Sequence, residues 1–95
     1  MRLTPAQQDV IHQATRLNFG EDAKVWLFGS RVDDSRRGGD VDLYIETKHI
    51  TNILSSVRCK IAIEDAIDLR VDLIVNDQAK NQPIYQIAKN HGVQL

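Results

Sequence analysis

Residues 24–46 constrain the fold of this chain more than any other stretch. An apolar run, Val25-Trp26-Leu27-Phe28, stops at Gly29-Ser30. Residues 31–39 are charged and Gly-rich, and a second apolar run, Leu43-Tyr44-Ile45, follows Asp40-Val41-Asp42. Two short apolar runs bounded by Gly and charge read as strands, over 24–28 and 40–46. The loop between them is too short for a helical crossover, so the strands pair antiparallel. A strand has a side-chain period of two, which puts Asp40 and Asp42 on one face and Val41, Leu43 and Ile45 on the other. Two carboxylates about 7 Å apart along one strand repel each other unless a cation lies between them.

The rest of the chain supplies elements to cover such a sheet. A helix is predicted over 5–18, with Thr4 as N-cap, Pro5 in the first turn, Gln7 closing a capping box and Gly20 as stop. Its core stripe reads Val10, Ile11, Ala14 and Leu17. Lys24 to Phe28 is apolar on both faces, which predicts an interior strand. A second helix is predicted over 51–66, with Ile50, Ile53, Leu54, Val57 and Ile61 inward and Ser55, Arg58 and Glu64 toward water. A third strand follows over 70–75, where Asp72 shares a face with Arg70 and Ile74. Asn76-Asp77 reads as a turn. A last helix is predicted over 83–91, with Ile84, Ile87 and Ala88 inward and Gly92 at its end, and 93–95 is a short edge strand. The order helix, strand, strand, helix, strand, helix predicts an α+β domain, a small mixed sheet with helices packed on one face.

Composition narrows the function classes. The 95 residues predict one domain over 1–95 with a single core. With 12 basic and 13 acidic residues and a net charge of −1, the chain lacks the basic excess of a dedicated binder of long nucleic acid. One cysteine, Cys59, excludes an intrachain disulfide and reads as a buried, inert thiol. His12, His49 and His91 have no metal-ligand spacing. The N-terminus holds no signal-peptide core and no run reaches membrane-spanning length, which predicts a soluble, cytoplasmic protein.

The chemistry-bearing residues cluster in the organising stretch. Gly29 lets a backbone approach a phosphate closely, Ser30 offers a hydroxyl, and the N–H groups after it can form an anion nest. A tight turn closing a strand would use the same residues; the acidic pair that follows favours the phosphate reading. Arg31, Arg36 and Arg37 flank the loop, and a guanidinium fork could grip phosphate oxygens. Arg31 is the first choice because it follows Ser30 directly. Asp40 also suits a turn after Gly38-Gly39, whereas Asp42 lies inside an apolar run, where an inward carboxylate is costly unless partnered. Tyr44 shares the face of Asp40 and Asp42 and could flank a nucleotide or be a plain sheet residue.

This arrangement resembles the nucleotidyltransferase superfamily of the DNA polymerase beta type, and within it the minimal nucleotidyltransferases (MNT). Their hallmark is Gly-Ser at a strand end, a variable loop, Asp-x-Asp on the next strand and an acidic residue on a later one. Here these are Gly29-Ser30, Asp40-Val41-Asp42 and Asp72 within Arg70-Val71-Asp72-Leu73-Ile74-Val75. The likeness covers residues 25–75, and loosely the Gly92 to Leu95 ending. Many minimal members read Gly-Ser-Arg-Ala-Arg-Gly, where this chain has Gly-Ser-Arg-Val-Asp-Asp-Ser-Arg-Arg-Gly. The resemblance implies transfer of a nucleoside monophosphate, AMP from ATP, with two Mg²⁺ ions. It implies that Asp40 and Asp42 hold both ions, that Asp72 holds the acceptor-side ion, and that Gly29, Ser30 and Arg31 meet the nucleotide. A solvent-facing place on an amphipathic strand would also account for Asp72. The resemblance further implies a helical HEPN-type partner, with this chain as the antitoxin that modifies a HEPN ribonuclease. So short a chain leaves little room for an acceptor-binding domain, which fits a second protein supplying one. Two alternatives stand beside this reading. One is an antitoxin acting by contact alone, the other an aminoglycoside-type nucleotidyltransferase acting on a small molecule.

Overall fold

A computed structural model of the chain describes residues 3–29, 41–49, 51–78 and 81–95. The elements are α1 (Pro5–Phe19), β1 (Lys24–Phe28), β2 (Val41–Glu46), α2 (Ile53–Ile67), β3 (Val71–Asn76), α3 (Pro83–His91) and β4 (Val93–Gln94). The strands form one mixed sheet in the order β3-β2-β1-β4. β1 pairs antiparallel with β2 and with β4, and β2 pairs parallel with β3 through the α2 crossover. β1 is interior, as its two apolar faces predict. No helix among the described residues is long and apolar enough to cross a membrane.

Local chemistry accounts for the helix ends. The Thr4 hydroxyl accepts the Gln7 N–H at 3.1 Å while the Gln7 side chain accepts the Thr4 N–H at 2.9 Å, which is the predicted capping box. α2 starts two residues later than expected because Asn52 is its cap, accepting the Ser55 N–H at 3.0 Å. It ends at Asp68 in the left-handed conformation (φ 56°).

The main core lies between one sheet face and the pair α1 and α2. Val25, Leu27, Val41, Leu43, Ile45 and Val71 meet Ile11, Ala14 and Phe19 of α1 and Cys59, Ile63 and Ile67 of α2. Each fully buried aliphatic side chain here contributes about 1.5–3 kcal/mol of transfer free energy. The inward face of α2 differs from expectation. Ile53, Leu54, Val57 and Ile61 are 78, 57, 43 and 50% exposed, and Glu64 turns in, accepting the Val71 N–H at 2.9 Å. α2 carries two apolar ridges, and the small Cys59 beside the buried Thr15 of α1 selects the one that lets the helices approach. On α1 the inward set is Ile11, Ala14, Thr15 and Phe19, and Leu17, expected inward, is exposed.

The helices were expected on one face. α1 and α2 are there, and α3 lies on the opposite one, where Ala88 and Tyr85 pack on Trp26 and Tyr44 beside Phe28 and Ile74. A sheet apolar on both sides of β1 needs cover on both. The inward residues of α3 are Tyr85 and Ala88 rather than Ile87, which is exposed, because the large rings of Trp26 and Tyr44 admit a small residue at the closest approach.

Candidate functional site

Two of the three acidic candidates meet at one end of the sheet. Asp42 opposes Phe28 across β1 and Asp72 across β3. Residues in register on neighbouring strands have Cα atoms about 4.8 Å apart, so the two carboxylates rise side by side from one face, at the N-terminal ends of β2 and β3. Asp72 is exposed and Asp42 half-buried. Asp40, Ser30 and Arg31, together with Arg36 and Arg37, lie outside the described residues.

Gly29 completes this corner at the end of β1. Its φ is +74°, and a Cβ there would run into the Asp42 carboxylate, 3.0 Å from its Cγ. The position therefore needs glycine twice over: for the left-handed backbone and for room beside the acid. Within the chain, the group that comes close to Gly29 is the Asp42 carboxylate.

Three rows cross this face. Phe28, Asp42 and Asp72 form the first, Trp26, Tyr44 and Ile74 the second, and Lys24, Glu46 and Asn76 the third. α3 lies over the second row and reaches the third, where Lys89 Nζ meets Glu46 Oε2 at 3.3 Å and sits 5.3 Å from the Trp26 ring centroid. Its C-terminal Gly92 abuts Phe28. Among the described residues the acidic row itself is left open.

Tyr44 belongs to the support rather than to the open row. It is 1% exposed, between Trp26 and Tyr85 at ring-centroid distances of 5.3 and 5.7 Å. Its hydroxyl donates to Glu46 Oε2 at 2.9 Å and accepts from Asn76 Nδ2 at 3.0 Å. This network anchors β2 just beyond Asp42, and sequence reasoning missed it. Lys89 lies 43 positions from Glu46, and no local pattern links them.

Burial pushes the Tyr44 hydroxyl up to about 12; the Asn76 hydrogen bond pulls the other way and Glu46 adds to the rise. A tyrosine in the unfolded chain titrates near about 10, so the folded state holds this proton more tightly. The resulting stabilisation is whole below pH about 10 and is lost as the pH rises through the folded value. The melting temperature is therefore expected to fall above pH about 10 in the wild type, and to fall less steeply in Tyr44→Phe. Parallel curves would remove Tyr44 as the cause.

The acidic row suits a hard cation. Carboxylate oxygens held side by side repel each other and match the oxygen preference of Mg²⁺. No group of three His, Cys, Asp or Glu converges among the described residues, so a third protein ligand would come from outside them, where Asp40 falls. A cleft of about 410 Å³ between the starts of α2 and α3, lined by Thr51, Val75, Asp77 and Tyr85 among others, lies at the far ends of β2 and β3 from the acids.

Comparison with known proteins speaks to the family and the fold. A family model described as polymerase beta, nucleotidyltransferase matches residues 12–94. Among solved structures, the chain is similar to a candidate minimal nucleotidyltransferase with a TM-score of 0.73 at 19% identity, over 95% of this chain and 90% of that one. At that identity the likeness speaks for the fold. No curated protein matches the chain.

Proposed function

We propose, for a chain that belongs to the polymerase beta nucleotidyltransferase family, that it transfers AMP from ATP to a hydroxyl of a bound partner protein. The partner in this reading is a helical HEPN-type ribonuclease, silenced by the modification, with this chain as its antitoxin. The observation that carries the reading is the in-register pair Asp42 and Asp72 on one sheet face, with Asp72 exposed. An acidic row left uncovered among the described residues suits an acceptor delivered by another protein.

In the proposed reaction the acceptor oxygen attacks the α-phosphorus of ATP. The bond from that phosphorus to the oxygen bridging the β-phosphate breaks, pyrophosphate leaves, and the acceptor proton passes to Asp72. Two Mg²⁺ ions, when bound, neutralise triphosphate charge and activate the acceptor oxygen. Asp40 and Asp42 would hold both ions and Asp72 the acceptor-side ion. The Gly29 backbone, the Ser30 hydroxyl and the Arg31 guanidinium would meet the phosphates. Holding the acceptor in line can lower a barrier by about 7–11 kcal/mol, which a docked partner provides and a freely diffusing acceptor does not. A tyrosine is the favoured acceptor because its pKa near about 10 is the lowest of the hydroxyl side chains.

The test is intact-mass spectrometry of a candidate HEPN-type partner protein, after incubation with this chain, ATP and Mg²⁺. The expected result is a gain of AMP-sized mass. Asp72→Asn should slow transfer by about 10²–10⁴-fold, the usual contribution of a positioned base, while the affinity for ATP changes much less. A partner that is inhibited without gaining mass would replace this reading with inhibition by contact. Label found on a small acceptor alone would replace it with a small-molecule transferase.

A further inference from the structure

β3 is an edge strand, with β2 on one side only. In a parallel ladder, alternate residues turn their backbone groups toward the neighbour. Arg70 and Asn76 turn theirs to β2, accepting the Val41 N–H at 2.8 Å and the Thr47 N–H at 3.0 Å. The alternate set, Val71, Leu73 and Val75, therefore turns its groups outward. Two of these outward groups are already satisfied within the chain. Glu64 Oε2 accepts the Val71 N–H at 2.9 Å, and the Tyr85 hydroxyl donates to the Val75 C=O at 3.4 Å. Among the described residues, nothing bonds the Val71 C=O, the N–H and C=O of Leu73, or the Val75 N–H. An open edge of this kind is a template for a further strand.

We propose that the added strand is β3 of a second copy of this chain, antiparallel about a twofold axis at Leu73. Leu73 then pairs with Leu73, and Val71 with Val75, as hydrogen-bonded pairs. Each Leu73 N–H donates to the other Leu73 C=O, and each Val75 N–H to the other Val71 C=O, so every open group is used. The remaining groups to face each other are the Val71 N–H and the Val75 C=O, the two that Glu64 and Tyr85 have capped. An unrelated antiparallel strand would set its own C=O and N–H against these capped groups and leave them without a partner, which is unfavourable on burial. A second copy brings its own caps. The helices fit the same pairing. Glu64 reaches the edge from α2, so its flank overlooks β3. Val57, about two turns before Glu64, shares that flank with Ile53, and the two are 43 and 78% exposed. The twofold axis brings both α2 flanks alongside each other and covers them. Edge and flanks together bury on the order of 1,000 Å², the lower end for a specific contact. The two Asp72 residues come onto the diagonal, about 7–8 Å apart, and repel each other, which keeps the dimer weak. The pairing extends the sheet in its own plane and leaves the acidic face uncovered, so the proposal does not depend on the reaction.

Two measurements on the full chain test it, over tens to hundreds of micromolar. Sedimentation equilibrium should show a monomer–dimer equilibrium. Amide hydrogen exchange, read residue by residue by NMR, should then locate the contact. The Leu73 and Val75 amides should exchange fast when dilute and slow by about fivefold or more when concentrated. The Val71, Asp72 and Ile74 amides, bonded within one copy, should be slow at both ends of the range. Val75→Pro removes an N–H that β2 does not use, a change that an edge strand tolerates. It should raise the dissociation constant by about tenfold or more, since two hydrogen bonds are lost per dimer, with unchanged circular dichroism. If Val75→Pro does not fold, exchange in the wild type decides alone. A wild type that stays monomeric throughout, or a dimer whose Leu73 and Val75 amides exchange as in the dilute sample, would overturn the proposal. So would a folded Val75→Pro protein that dimerises as tightly as the wild type, or protection of these amides only by a different protein.

Discussion

Asp42→Asn is expected to reduce nucleotidyl transfer by at least about a thousandfold, equivalent to about 4 kcal/mol of transition-state stabilisation, with the fold retained. The substitution keeps the side-chain volume and the half-buried position in the middle of the first row. It removes one negative charge from a pair held in register with Asp72. A neutral amide is a poor ligand for a hard dication, and loss of a group that stabilises developing charge alone costs about 10²–10³-fold in better-studied enzymes. The measurement is turnover of labelled ATP with the proposed HEPN-type partner, alongside thermal unfolding. Wild-type turnover in a cooperatively folding Asp42→Asn protein would remove Asp42 from the site.

Gly29→Ala is expected to damage both stability and transfer. A left-handed conformation at a residue with a Cβ costs roughly 1–2 kcal/mol, and at Gly29, with φ +74°, the new methyl also meets the Asp42 carboxylate. Either the end of β1 shifts or the carboxylate does. A displacement near 1 Å at a reacting centre can cost about a hundredfold in rate, so transfer should fall by about that factor or more even where the protein is fully folded. Gly92→Ala is the control. It is crowded too, against the backbone carbonyl oxygens of Ala88 and of Leu27, the latter at 2.8 Å, and against the Phe28 Cβ at 3.2 Å, but it does not approach Asp42, and it should lower the melting temperature with a smaller effect on turnover of the folded fraction. Equal losses in the two variants would mean that Gly29 serves the fold alone.

Much of the local structure was legible in the residues. The Thr4 and Gln7 capping box, the bounds of β1, the antiparallel pairing of β1 with β2 and the interior place of β1 all follow from short-range chemistry. So does the orientation of Asp42 away from the core, since the period of a strand puts it opposite Val41 and Leu43, which are fully buried. The third acidic residue was legible only by resemblance. Within its own strand Asp72 looks like any solvent-facing residue, and its partnership with Asp42 exists only because β3 pairs parallel with β2 in that register.

By itself, then, the sequence determined which residues of a strand share a face and where α1 and α3 begin. The tertiary structure decided which faces are covered. Periodicity marks both ridges of α2 as apolar, and only the close packing of Cys59 against α1 buries one and leaves Ile53, Val57 and Ile61 outside. Periodicity likewise leaves α3 free to lie on either side. The rings of Trp26 and Tyr44, together with the Lys89–Glu46 pair, hold it on the acidic face just short of Asp42. The physical reason is the same in each case. Hydrogen bonding and side-chain period act within a few residues, whereas burial is settled between surfaces that meet only when the whole chain has folded.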